Sequence, residues 1–303
     1  MIWVIGCNGM LGSEVCRELA ESGYDFVGSD RDVDFTDMQS LEAFAKHRPI
    51  TCIVNCAAYT AVDKAEEEAE LAAKLNVVGP QNIGRLSKQL GATVIHISTD
   101  YVFDGTGTAP YTEDAPLAPL GIYGKTKADG ERALQAETER YYILRTAWLY
   151  GWAGKNFVYT MLGAMNSRSS VRVVNDQRGS PTFCGDLAHI ILTIATQDSN
   201  RAIPYGIYHV TNEGETTWFE FTAEIKRQGI AQGLITNPDC AVEPCTTAEY
   251  PTPAQRPAYS VLSKQKIQAA LGIRLPEWRE SLGVFLRGVH VNECSFYRGT
   301  AST

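Results

Sequence analysis

Ile2-Trp3-Val4-Ile5-Gly6-Cys7-Asn8-Gly9-Met10-Leu11-Gly12 opens the chain and decides its fold. Ile2–Ile5 is an apolar run that reads as a strand, and it leads directly into three glycines at G-x-x-G-x-x-G spacing. Leu11, Val15 and Leu19 then recur at the spacing of one helix face, which Gly23 closes. Glycines in this strand–turn–helix context let the backbone turn tightly and approach a pyrophosphate. The helix start then offers unpaired N–H groups and a positive dipole end to that anion. The stretch predicts a dinucleotide site with Gly6, Gly9, Met10, Leu11 and Gly12 as cofactor-binding candidates; an ordinary tight turn is the competing interpretation.

The same alternation continues outward from this unit. Apolar runs at 25–28, 51–56, 92–97 and 141–145 predict further strands. Helical patterns at 38–47 (with Asp37 as N-cap), 66–75, 77–90 and 123–136 fall between them, the middle two as one long helix or two joined ones. A Gly/Pro-rich loop spans 104–121. The run 51–56 is mostly apolar, as a strand buried on both faces must be. Strands joined by helices of this size give right-handed crossovers and one parallel sheet. The expected fold class is α/β: a Rossmann-type doubly wound parallel sheet, with ligands beyond the carboxyl ends of its strands.

Past about residue 150 the pattern loosens. Helices are expected at 156–167, 185–196, 217–228, 261–271 and 276–289, and strands at 171–175 and 206–210. The proline-rich stretch 236–257 reads as an extended loop. We therefore expect a dinucleotide-binding domain over 1–150, with later segments returning to its sheet. A smaller C-terminal substrate-binding region occupies 151–303, and its polar tail frays from Asn292.

Composition narrows the class. The 303 residues suffice for a sizeable core, and 44% hydrophobic with 20% charged residues is ordinary for a soluble enzyme. No apolar run approaches the roughly 18–20 residues of a membrane span, and no signal segment precedes the first strand, so cytoplasmic residence is expected. A net charge of −8 without a basic stripe argues against nucleic acid as a partner and leaves room for a small anionic ligand. Cys7, Cys16, Cys52, Cys56, Cys184, Cys240, Cys245 and Cys294 contain no C-x-x-C and read as free thiols. His47, His96, His189, His209 and His290 show no metal-ligand spacing, and no metal is expected.

Further along the cofactor path, Asp30 follows the second strand, 18 residues after Gly12. An acid there accepts hydrogen bonds from the adenosine ribose, which favours NADH; Arg31 beside it can meet a 2′-phosphate, which keeps NADPH in play. Asp34 and Phe35 are candidates to flank the adenine. Ala57, Ala58 and Tyr59, after the third strand, are candidates to lie along the dinucleotide.

Tyr123-Gly124-Lys125-Thr126-Lys127 has Y-x-x-x-K spacing, which puts Tyr123 and Lys127 on one helix face. A nearby ammonium favours the phenolate, so Tyr123 is expected to exchange a proton nearer neutral pH than its ordinary value of about 10. Lys127 can also hold the nicotinamide ribose. Thr99, just past a strand end, can donate to a substrate oxygen. Tyr123, Lys127 and Thr99 are the catalytic candidates, for reduction of a ketone with Tyr123 supplying the proton.

Several longer stretches carry a family resemblance. They are the glycine turn, 55–66 (Asn55 through Asp63-Lys64-Ala65-Glu66), and 96–105 with Ser98-Thr99-Asp100-Tyr101-Val102-Phe103. With them go 122–127, Arg145-Thr146-Ala147-Trp148-Leu149-Tyr150-Gly151, Lys155-Asn156-Phe157, 174–182 and 256–262. The chain resembles the extended short-chain dehydrogenases and, within them, the dTDP-4-dehydrorhamnose reductases. That resemblance implies NAD(P)H-dependent reduction of the 4-keto group of a dTDP-linked deoxysugar, with Thr99, Tyr123 and Lys127 as the triad. It implies sugar contacts from Asp100 and Trp148, with Asn156 a further substrate candidate and Arg178 and Arg256 candidates for the diphosphate. Glu14 matches one position of a magnesium-bridged dimer seen among relatives, but its partners have no counterpart that we can place. No structural Mg2+ is therefore expected, and a homodimer is left open.

Two alternatives share the fold. A nucleotide-sugar epimerase would keep its NAD, and a 4,6-dehydratase would carry an acid after the Thr99-Asp100 pair, where this chain has Tyr101. A non-catalytic regulatory subunit of methionine adenosyltransferase would bind dinucleotide without turnover; the intact Thr99, Tyr123 and Lys127 argue against it.

Overall fold

The computed structural model describes residues 1–197 and 203–289. Its first half runs β1 (Ile2–Ile5), α1 (Met10–Glu21), β2 (Phe26–Ser29), α2 (Met38–Ala45), β3 (Cys52–Asn55), α3 (Val62–Ala65), α4 (Ala69–Ala73), α5 (Gly79–Leu90), β4 (Thr93–Thr99), α6 (Ile122–Glu137) and β5 (Tyr141–Thr146). Its second half runs β6 (Leu149–Tyr150), α7 (Phe157–Ser167), β7 (Ser170–Val174), β8 (Arg178–Gly179), β9 (Thr182–Phe183) and α8 (Cys184–Ala195). Then follow β10 (Gly206–His209), β11 (Thr216–Thr217), α9 (Trp218–Ala231), β12 (Ala241–Cys245), α10 (Gln265–Leu271) and α11 (Trp278–Gly288).

Six parallel strands form the main sheet in the order β10-β5-β4-β3-β1-β2. The order reverses between β1 and β3, so a crevice opens beyond their carboxyl ends. Alternation along the strands builds two cores. Ile2 and Val4 join Leu11, Val15 and Leu19 of α1 and Leu187, Ile191 and Ile194 of α8 on one face. Trp3 and Ile5 join Leu41, Ile83, Leu86 and Leu134 from α2, α5 and α6 on the other. A sheet buried on both faces therefore needs strands apolar throughout, as the sequence has them. The late segments α8 and β10 return to this body, and Tyr150, Phe183, Phe221, Trp278 and Phe285 anchor a separate core in the second half.

Three local expectations change. The helix expected at 261–271 starts only at Gln265, because Leu262 is tied alongside Tyr111. The loop expected at 236–257 contains β12, paired in parallel with β7 in a two-stranded sheet that tolerates Pro244. Between α4 and α5 the helix loosens into one π-turn, Lys74–Val78, which projects the buried Asn76 inward. The tail expected to fray from Asn292 lies outside the described residues, as do His290 and Cys294. The seven other cysteines are free thiols.

Glycines let α6 approach this π-turn. A Cβ on Gly130 would sit 1.9 Å from the Asn76 carbonyl oxygen. Ala normally stabilises a helix interior relative to Gly. Here Gly130→Ala should instead lose about 1–3 kcal/mol of unfolding free energy through overpacking. Unchanged or increased stability in urea titrations would contradict that packing.

Candidate active site

The turn after β1 is shaped for a diphosphate. Gly6 has φ +80°, and a Cβ there would lie 2.8 Å from the Ala57 nitrogen. A Cβ on Gly12 would lie 2.0 Å from the Gly6 carbonyl oxygen, so only glycine lets α1 begin this close to the turn. Gly9 is the N-cap, and no side chain caps the helix. The first-turn N–H groups thus stay available for an anion.

A cleft of about 630 Å3 runs from this turn across the ends of β1, β3, β4 and β5. Asp30, Arg31 and Phe35 line one end; Thr99, Asp100, Tyr101, Tyr123, Lys127 and Trp148 line the other. Ala57 and Ala58 lie between. Asn55 positions them: its Oδ1 accepts the Ala57 N–H at 3.1 Å, and its Nδ2 donates to Nδ1 of the buried His96 at 3.0 Å. This glycine cradle, uncapped helix and long cleft fit a dinucleotide.

At the catalytic end, α6 and β4 meet. Thr99 ends β4; its hydroxyl donates to Asp100 Oδ1 at 3.0 Å and accepts the Tyr101 N–H at 3.2 Å, and Thr99 and Tyr123 line the same end of the cleft. Burial pushes Tyr123 up to about 12, with Asp100 adding and Thr99 opposing. Lys127 Nζ donates to the Ile97 carbonyl at 2.6 Å. Burial pushes Lys127 down to about 8, against the Glu131 carboxylate that favours its charge. Asp100 is raised to about 6 by burial, with the Ser260 and Thr99 hydroxyls opposing. The expectation that Lys127 lowers Tyr123 is therefore corrected: desolvation dominates, and Tyr123 is held as a neutral phenol.

Other candidates take different places. Gly12 packs behind the turn. Asp34 accepts from the Thr36 N–H and hydroxyl, at 2.9 and 2.6 Å, and does not line the cleft. Tyr59 is buried, donates to Glu68 at 2.6 Å, and turns away from the cleft. Asn156 is the N-cap of α7: it accepts the Tyr159 N–H and donates to the Gly151 carbonyl. Arg178 is exposed and ion-paired with Glu215 at 3.0 Å. Arg256 pairs with Asp63 through both carboxylate oxygens, at 3.1 and 2.8 Å. None of Asn156, Arg178 and Arg256 lines the cleft. Glu14 is buried and ion-paired with Arg17 at 2.9 Å.

Sequence reasoning missed the residues that hold α6 in place. Glu66 Oε1 accepts the Ile122 N–H at 2.9 Å, one residue before Tyr123. Asn76 donates to Thr126 Oγ1 at 3.1 Å. Glu131, one helical turn beyond Lys127, accepts from Ser98 and takes a bidentate grip from Arg145 of β5, 2.7 Å at the closest. Their only signal was position: Glu66 ends the Asp63–Glu66 segment, and Glu131 lies four residues past Lys127. Glu131→Gln should cost about 3 kcal/mol or more, because the Arg145 guanidinium stays buried without its full countercharge. A loss below about 1 kcal/mol in urea unfolding would mean the pair is weakly coupled to folding.

Comparison with known proteins sets this geometry in a family. The family described as "RmlD substrate binding domain" matches residues 1–291. The spore coat polysaccharide biosynthesis protein SpsK of Bacillus subtilis is 41% identical over 287 residues, covering 94% of this chain and 96% of its own. The dTDP-4-dehydrorhamnose reductase of Aggregatibacter actinomycetemcomitans is 38% identical over 282 residues, covering 92% and 96%. The crystal structure of dTDP-4-dehydrorhamnose reductase from Bacillus anthracis in complex with NADP superposes with a TM-score of 0.87 at 35% identity, covering 95% of this chain and 99% of that one. With its glycine turn, its Tyr123–Lys127 helix and this end-to-end similarity, the chain belongs to the dTDP-4-dehydrorhamnose reductase family.

Proposed function

We propose that this protein reduces the C4 ketone of dTDP-4-dehydro-L-rhamnose to give dTDP-L-rhamnose, with NADH or NADPH as reductant. One observation carries the assignment of roles: Thr99, Tyr123 and Lys127 line one end of the cleft that begins at the uncapped glycine turn, and burial favours the neutral Tyr123 phenol there. Reduced nicotinamide, when bound, supplies the hydride. The remaining work falls to the chain. Tyr123 gives its proton to the ketone oxygen as charge grows there, and Thr99 offers a second hydroxyl at the same point.

Gly6, Gly9, Met10 and Leu11 would hold the diphosphate, and Lys127 the nicotinamide ribose. Asp30 would accept from an adenosine ribose, which favours NADH, while Arg31 gives a 2′-phosphate a partner. Asp100 and Trp148 would meet the sugar, and the second half of the chain would hold the rest of the nucleotide sugar. No helix among the described residues is long and apolar enough to cross a membrane. We place the reaction in the cytoplasm, on a route toward surface polysaccharide.

Purified protein given dTDP-4-dehydro-L-rhamnose should oxidise NADH or NADPH in equal amount, followed at 340 nm. Silence with both cofactors sinks the assignment. Tyr123→Phe should lower kcat by about 10²–10⁴-fold and leave cofactor affinity nearly unchanged. Surviving turnover would take the proton-donor role from Tyr123. Lys127 carries its charge below about pH 8. If that charge holds the cofactor, kcat/KM falls as pH rises through about 8; a flat profile to pH 10 speaks against it.

A further inference from the structure

Trp148 has φ +50°, in the left-handed region where a bulky residue is strained. It lines the cleft between Ala147 and Leu149, just past β5. The surroundings hold it there from several sides. Trp218 covers one face of its ring, with centroids 3.6 Å apart and planes 8° from parallel. Gly179 lies against the same indole, where a Cβ would sit 2.5 Å from Cε2. The Trp148 carbonyl accepts the Thr182 N–H at 3.2 Å.

These supports are themselves fixed. Trp218 is backed by Phe157 at 4.5 Å and starts α9, whose N-terminus is fixed by a reciprocal Thr217–Glu220 capping box. β8 and β11 bring both supports together, with Thr216 opposite Gly179 and Thr217 opposite Arg178. A strained backbone at a cleft residue persists only where its surroundings over-determine it, and here a stack, a glycine and a hydrogen bond do so.

We infer that Trp218 and Gly179 are specificity-determining positioning residues that hold Trp148, one by stacking on a ring face and the other by close backbone approach to Cε2, Cζ2 and Nε1, so that its remaining surface forms one wall of the sugar subsite. The inference rests on the reduction proposed above. An indole face held this way selects a sugar with an apolar edge, such as a deoxy carbon, over one presenting a hydroxyl there. The contribution comes from the second half of the chain, which reaches this wall through Trp148.

Two variants disturb the wall through different contacts: Trp218→Ala removes the stack, and Gly179→Ala pushes on the indole. Each should raise KM for dTDP-4-dehydro-L-rhamnose about tenfold with kcat within about twofold, the mark of lost uniform binding. NAD(P)H affinity, read from nicotinamide fluorescence, should not change. Trp218→Phe, which restores a stacking ring, should recover most of the loss. Unchanged KM in variants that keep a native unfolding transition overturns the inference. So does an equal loss of cofactor affinity, which would mark a general structural role. If the unaltered protein shows no turnover, the functional assignment itself fails, and the inference falls with it.

Discussion

The junction between α6 and β4 governs the rest of the site. Consecutive residues of β4 grip the helix twice: the Ile97 carbonyl takes Lys127 Nζ at 2.6 Å, and the Ser98 hydroxyl donates to Glu131. Arg145 of β5 locks Glu131 from the next strand, and Glu66 caps the helix beside Tyr123. Each grip joins a helix to a strand end, the most rigid support the fold offers. The next residue of β4, Thr99, is thereby fixed at the same end of the cleft as Tyr123, which sits on the first turn of the helix. Shifting α6 would separate every member of the set at once.

The same packing sets the electrostatics. A dry junction disfavours charge of either sign, so burial raises Tyr123 and Asp100 and lowers Lys127. The ordering suits reduction. Tyr123 keeps the proton that the proposed reduction asks of it, while Glu131 preserves part of the Lys127 charge. Asp100, raised to about 6, holds its proton to a higher pH than an ordinary carboxyl group.

Local features were legible in the sequence. The glycine turn works through close backbone approach within seven residues, and Tyr123 with Lys127 works through helix geometry. Both follow from spacing. What stayed hidden depends on segments far apart in the chain. Arg256 reaches Asp63 across 193 positions, a pairing that no local pattern announces. Trp218 stacks on Trp148 although nothing in either local pattern links them. Asn156 is a substrate candidate because its motif matches a family; its amide also caps α7, which the motif alone does not show. β12 was hidden by Pro244, which reads as a breaker until a single neighbouring strand is seen to suffice. The Tyr123 level was misjudged for a related reason. Spacing shows that a cation is near, while burial, which outweighs it here, belongs to the tertiary structure.

The central claim is that Tyr123 is an acid held neutral by its surroundings. Ultraviolet difference titration of the unaltered protein against Tyr123→Phe isolates this phenol, since ionisation of one tyrosine shifts absorbance near 295 nm. The account predicts no phenolate signal from Tyr123 up to pH 10. A transition near neutrality would contradict it and restore Lys127 as the group that sets the Tyr123 acidity.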